Sequence, residues 1–293
     1  LLEPNSTIEQ ALKWARRKLT EHQISDDGMY DSAAIDSKVL LCGCLECEQI
    51  YLHTWPEKQL TIEQINTFHH MLEKRILGYP VAYIVGFRDF WSLRLTVSEA
   101  TLIPRPETEL LVELALDLSF DDSIRVLDLG TGTGAIALAL ASENKQWSVI
   151  GIDKNSEAVK LATLNATKNQ LPDVEFIQSD WFSSIEKQKF DLIVSNPPYI
   201  EINDHHLTQG DVRFEPSSAL TSGNNGLDDI RFIIVNSVNY LNHKGWLLLE
   251  HGNEQGGIVA NLFTLNGFSN VRTECDLNGQ PRVSMGQLNG LNS

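Results

Sequence analysis

From Ser6 onward, apolar residues recur at helical spacing. Ile8, Ala11, Leu12, Ala15 and Leu19 form one stripe, the pattern of an amphipathic helix, and Ser6 or Thr7 can cap its start. Runs 33–41, 47–53 and 62–77 repeat the pattern, with Thr61 as a cap for the last. No strand pattern intervenes, so residues 1–80 are predicted to form a small all-α domain. Gly78-Tyr79-Pro80 breaks the rhythm. Residues 87–97 then alternate aromatic and β-branched side chains and predict a β-hairpin, within a linker spanning 81–104. Pro106 is suited to the first position of a helix reaching about Leu118.

Past Ile124 the rhythm becomes strand, helix, strand. Strands are predicted at Arg125–Leu129, 149–153, 174–178, Phe190–Ser195 and 246–249, with helical segments between several of them. Such alternation predicts an α/β domain over 105–293 with a mainly parallel sheet. Phe268–Cys275 and 282–285, joined through Asn278-Gly279, predict an antiparallel edge, and 288–293 a loose tail. The chain shows no internal repeat and no low-complexity segment.

Composition narrows the partners. The 293 residues allow one large or two modest domains, and 42% apolar with 21% charged residues is ordinary for a globular protein. Lys and Arg total 23 against 39 Asp and Glu, a net charge of −16. That balance disfavours nucleic acid as a partner and suits a basic protein surface. No apolar run is long enough for a membrane helix. The opening Leu1-Leu2-Glu3-Pro4-Asn5 lacks the charged and apolar regions of a signal peptide. Four cysteines make no disulfide framework, so a cytoplasmic home is expected.

Candidate chemistry begins where the first α/β strand ends. Gly130-Thr131-Gly132-Thr133-Gly134 joins that strand to an apolar helix. Glycines there let the backbone turn tightly and approach a ligand, and the helix start offers free N–H groups. A dinucleotide site prefers G-x-G-x-x-G. This loop is G-x-G-x-G after Asp128, and it resembles the cofactor loop of class I methyltransferases. Asp153 ends the next strand, where a carboxylate can accept both hydroxyls of a ribose. Ser179-Asp180-Trp181 closes the third strand; by the same resemblance this corner holds an adenine ring, with Trp181 the contact and Asp180 a lesser candidate. The plainer reading is a tight turn at 130–134, a helix cap at Asp153 and a core role for Trp181.

Ser195-Asn196-Pro197-Pro198-Tyr199 follows the buried-looking strand Phe190–Ser195. An amide or exocyclic amino nitrogen is a poor nucleophile because its lone pair is delocalised. Two acceptors aimed at its N–H groups orient that lone pair and favour pyramidalisation. The Asn196 side-chain carbonyl and the Pro197 backbone carbonyl can serve, on a turn stiffened by Pro197 and Pro198. Tyr199 offers a flat face for a planar group. Such a site needs orientation and pre-aimed dipoles more than a strong base.

These segments together resemble the peptide chain release factor N(5)-glutamine methyltransferases, the HemK/PrmC family. The resemblance is densest in Phe90-Trp91-Ser92-Leu93, in Thr101-Leu102-Ile103-Pro104-Arg105-Pro106-Glu107-Thr108-Glu109, in Leu127-Asp128-Leu129-Gly130-Thr131-Gly132-Thr133-Gly134, in residues 195–200, and in Gln209-Gly210-Asp211-Val212-Arg213-Phe214-Glu215-Pro216. It implies a Rossmann-like class I methyltransferase domain behind a helical substrate-binding domain and a hairpin linker. It implies S-adenosylmethionine as cofactor, with S-adenosylhomocysteine as product, and the Gly-Gly-Gln glutamine of class I release factors as substrate. By that resemblance Gly130, Thr131, Gly132, Thr133, Gly134, Asp153, Trp181 and Asn196 contact the cofactor. Asn196, Pro197, Pro198 and Tyr199 receive the glutamine, with Asn196, Pro197 and Tyr199 carrying the catalysis.

Some features fall outside that pattern. Cys42, Cys44 and Cys47 lack a fourth ligand at a familiar zinc spacing and read as incidental thiols, so no metal is expected. His205-His206 reads as a solvated pair. Arg105, Glu107 and Glu109 suit either a pocket wall or an acidic helix start. The rival readings are an adenine N(6) methyltransferase on DNA or RNA, a non-catalytic cofactor-dependent protein that clamps a release factor, and a nicotinamide oxidoreductase, which the glycine spacing disfavours. A monomer is the default expectation.

Overall fold

The computed structural model describes residues 2–22, 32–120, 123–186 and 188–289. The chain divides into two compact units, one of residues 1–87 with 208–214 and one of residues 88–207 with 215–293.

The first unit is helical: α1 (Ile8–Glu21), α2 (Ser32–Leu45), α3 (Gln49–Thr54), α4 (Ile62–Ile76) and α5 (Val81–Val85). Thr7 and Thr61 each close a capping box, with Gln10 and Gln64 reaching back to the cap backbone. One face of α1 buries Ile8, Ala11, Ala15 and Leu19 against Leu40, Phe68 and Leu72. The helices depart from the sequence pattern in places. α2 runs past 41 to Leu45, and α5 follows Pro80, which fits a helix start because its missing N–H would be unpaired there anyway. The 290–293 end of the expected tail lies outside the described residues, while Leu288 belongs to a strand.

The second unit carries the hairpin of β1 (Phe87–Phe90), all but its first residue, and β2 (Leu93–Thr96), together with a seven-stranded sheet. Pro106 opens a 3-10 turn, Pro106–Thr108, that feeds α6 (Glu109–Leu116). Then come β3 (Arg125–Leu129), α7 (Ala135–Glu143), β4 (Ser148–Asp153), α8 (Ser156–Lys168), β5 (Glu175–Gln178) and β6 (Phe190–Ser195). α9 (Asp228–Ser237), β7 (Leu241–Glu250), α10 (Gly256–Leu265), β8 (Phe268–Cys275) and β9 (Pro281–Leu288) complete it.

The sheet order is β5-β4-β3-β6-β7-β9-β8, parallel from β5 to β7. β9 runs antiparallel to both β7 and β8, so the hairpin inserts its second strand beside β7 and leaves β8 at the edge. Both faces are covered, which is why the central strands are mostly apolar, Asp128 being a buried exception. Val126, Leu192 and Val194 pack beneath Leu111, Val112 and the α7 alanines. Leu127, Leu129 and Ile193 pack against Ile230, Ile233, Ile234 and Phe263. Among the described residues no helix is long and apolar enough to cross a membrane.

Candidate active site

Parallel register brings five separated sequence segments to one edge. Leu129 pairs with Ile152 on one side and Ser195 on the other, Asp153 pairs with Gln178, and Ser195 pairs with Leu249. The glycine loop, Asp153, the 179–181 corner, the tetrad and Glu250 therefore all emerge at the carboxyl ends of adjacent strands. In open α/β sheets that edge is where ligands bind. Ser195 Oγ donates to Leu129 O at 2.6 Å, which ties the tip of β6 to that of β3.

A cleft of about 940 Å³, its open mouth included, runs along this edge. Gly130, Thr131, Gly132, Thr133, Asp153, Asp180, Trp181, Asn196 and Pro198 line it. Gly134 is just behind the wall, at φ 84°, as the cap of α7. Pro197 is buried and Tyr199 partly so, and neither side chain lines the cleft.

The loop is held from below and from beside. Asp128 is fully buried and accepts from Thr131 Oγ1 at 2.6 Å and from Ala137 N at 3.3 Å. Burial pushes its carboxyl up to about 7, against the opposing pull of those hydrogen bonds. Asp153 accepts from Gly132 N at 3.0 Å and Asn155 N at 2.8 Å, and burial raises its pKa. The cap of α8 is Asn155. Trp181 has a positive φ of 46°, rare for a bulky residue, with its carbonyl held by Ser179 Oγ at 2.6 Å. Its ring faces the bare side of Gly130, where an added Cβ would come within 3.6 Å.

Around the tetrad, Asn196 Nδ2 donates to Thr108 Oγ1 at 3.1 Å, and Thr108 Oγ1 donates to Glu250 Oε2 at 2.7 Å. The Tyr199 hydroxyl donates to Glu250 Oε1 at 3.3 Å. Glu250 is 1% exposed, and burial pushes its pKa up to about 7. Burial, followed by the Glu250 charge, pushes the Tyr199 phenol above its usual range. Sequence reasoning missed Thr108 and Glu250. The available signal was a carboxylate directly after Leu247-Leu248-Leu249, an unfavourable place for a charge unless it has partners.

The remaining candidates separate. Arg105 lines the cleft and pairs with Glu215, whose side chain is fully buried and also accepts from Ile103 N at 3.2 Å. Glu109 accepts instead from Trp91 N at 2.7 Å, and Glu107 does not line the cleft. Cys42, Cys44, Cys47 and Cys275 are thiols, not joined in disulfides. Cys44 donates to Gln64 O at 3.3 Å, and burial pushes its pKa up to about 11. His205 and His206 are exposed beside Asp204.

A mostly parallel sheet with an antiparallel β7-β9-β8 end, a glycine-rich turn after its first parallel strand and a proline-stiffened Asn turn after the fourth define a class I S-adenosylmethionine-dependent methyltransferase. The hMettl16 catalytic domain, solved in complex with the MAT2A 3'UTR hairpin 6, shares this fold: the TM-score is 0.57 at 16% identity, covering 76% of this chain and 83% of that one. The sequence also matches the PrmC N-terminal domain over residues 10–86 and the methyltransferase small domain over residues 106–217. It is 50% identical over 287 residues to the release factor glutamine methyltransferase of Shewanella oneidensis, covering 98% of each chain. It is 45% identical over 274 residues to that of Escherichia coli K12, covering 94% of this chain and 97% of the relative. The chain belongs to the release factor glutamine methyltransferase family.

Proposed function

We propose that this protein methylates the side-chain amide nitrogen of the glutamine in the Gly-Gly-Gln motif of class I peptide chain release factors. The observation that carries the reading is Asn196 on the wall of the same cleft as the glycine loop. The cleft residues fit S-adenosylmethionine. The 130–133 backbone reaches the wall, Asp153 keeps lone pairs for ribose hydroxyls, and Trp181 offers a ring for adenine. When bound, the cofactor supplies an electrophilic methyl group on a sulfonium.

Asn196 Oδ1 and the Pro197 carbonyl accept the two N–H groups of the glutamine amide. That turns the nitrogen lone pair out of conjugation and holds it in an attack geometry. A bound S-adenosylmethionine would supply the methyl group to the nitrogen so held, leaving S-adenosylhomocysteine as product. The methylated nitrogen then sheds one proton to water, because a protonated amide is a strong acid. Pro198 and Tyr199 complete the turn, with Tyr199 held by Glu250. The surplus of 39 acidic over 23 basic side chains favours a basic protein partner over direct nucleic acid binding. We read the enzyme as a cytoplasmic monomer.

Mass spectrometry of a purified class I release factor, incubated with the protein and S-adenosylmethionine, tests this. One methyl group on the Gly-Gly-Gln glutamine is expected. An unmodified glutamine, or methyl label appearing only on added nucleic acid, would overturn it.

A further inference from the structure

We infer that Thr108 and Glu250 are positioning residues that decide which end of the Asn196 side-chain amide faces the cleft. The inference rests on the reading that Asn196 receives the substrate amide.

The two ends of an Asn amide have nearly the same shape and opposite polarity, so a neighbour must choose between them. Only the carbonyl end can accept from a substrate N–H. Asn196 reaches Thr108 at 3.1 Å, and Thr108 reaches Glu250 at 2.7 Å. Thr108 is 4% exposed and Glu250 1% exposed, so water does not compete for these groups. An ionised carboxylate can only accept. The single Thr108 proton is therefore committed to Glu250, and the Thr108 oxygen can only accept in turn. Asn196 must present its NH₂ to Thr108, which leaves Oδ1 for the cleft. The Tyr199 hydroxyl donates to the other Glu250 oxygen, so the same carboxylate fixes both ends of the tetrad.

This chain of donors holds only while Glu250 is ionised. Four groups act on it: Thr108 and Glu107 from the 106–108 turn, Tyr199 from the tetrad, and Arg282 from β9. Thr108, Arg282 and Tyr199 favour the charged form, Glu107 opposes it, and burial outweighs them, placing the titration at about 7. A protonated Glu250 can itself donate to Thr108. The Thr108 proton is then free to point at Asn196, and the amide loses its imposed direction.

The test measures kcat, KM for a purified release factor, cofactor affinity by calorimetry and thermal melting for Thr108→Val, Thr108→Ser, Glu250→Gln and Asn196→Ala. Thr108→Val should lower kcat by about tenfold or more, the order seen when the partner orienting a contacting ligand is removed. KM and cofactor affinity should stay within about twofold, and Thr108→Ser should recover most of the rate. Wild-type kcat should fall as pH drops through about 7, and Glu250→Gln should flatten that limb. The inference fails if Asn196→Ala is inactive while Thr108→Val keeps wild-type kcat, or if Ser at 108 is as impaired as Val. It also fails, together with the reading beneath it, if Asn196→Ala retains full activity. Should Val at 108 prevent folding, the Glu250→Gln pH profile decides: an acid limb unchanged from wild type overturns the inference.

Discussion

Arg75 Nη1 lies 2.7 Å from Asp211 Oδ1, a pairing across 136 positions of sequence that places residues 208–214 in the helical unit. Its Nε donates to Asp36 Oδ2 at 2.7 Å, and Nη1 also donates to Tyr79 O at 3.1 Å. Arg75 is 8% exposed, so removing it strands a largely buried carboxylate at Asp36. Arg75→Ala should destabilise the helical unit by about 3 kcal/mol, the scale for breaking a buried pair. The Asp211 partner adds less, because its side chain is 39% exposed. Urea unfolding measures the loss, and limited proteolysis should show new cleavage within 208–214. Unchanged stability and cleavage would contradict this account.

Gly134 is the tightest point of the glycine loop. At φ 84° it holds a left-handed conformation, and an added Cβ would sit 3.1 Å from Phe176 and 3.2 Å from Ala162 and Leu138. Gly134→Ala therefore adds left-handed strain to overpacking. A loss of about 2 kcal/mol or more is expected, read as a lower melting temperature with weaker S-adenosylmethionine binding. A variant that melts and binds like wild type would show that the loop relaxes freely.

What the sequence made legible follows from which forces are local. The strand-to-loop junctions at 129–130 and 195–196 were readable because apolar runs stop at glycine or proline, whose backbone limits are intrinsic. β7 was read only at 246–249, because its first half includes the polar Asn242, His243 and Lys244, whose place is set by pairing rather than pattern. α5 was hidden because Val81–Val85 makes only about one turn of apolar residues after a proline, too short to show a period. Thr108 and Glu250 lie 142 positions apart and meet only through the fold. Asp211 and Arg75 were unreadable for the same reason.

Asn196 is the residue whose loss should cost the reaction most. Its amide is anchored on one side by Thr108 and offers the other to the cleft. Ala at this position removes a preorganised acceptor while leaving Pro197 and Pro198 to hold the turn. Methyl transfer should fall by roughly 10²-fold or more. Single-turnover kinetics with cofactor and release factor saturating isolates the chemical step. A loss of less than about tenfold would remove Asn196 from the acceptor role.

Stability should depend on pH through Glu250 in a direction fixed by its burial. Its carboxyl is pushed up to about 7 from an ordinary 4.5. Between those values the folded protein holds a proton that the unfolded chain has released. The group's contribution to stability is therefore complete below about 4.5 and is lost as pH rises through about 7. Asp128 acts in the same sense, while His251, held below its usual value by burial, acts in the opposite one. The wild-type curve thus mixes signs, and a variant is needed to isolate one group. Glu250→Gln keeps the shape and an acceptor for Thr108 but removes the buried charge. At pH 8 it should be more stable than wild type, by about 3 kcal/mol at most. The difference should shrink towards pH 5, where Glu250 is already protonated in the folded state. Denaturant unfolding of both proteins at the two pH values gives the answer. An equal gap at both, or a gap that widens on acidification, would mean that Glu250 is not a buried charge at neutral pH.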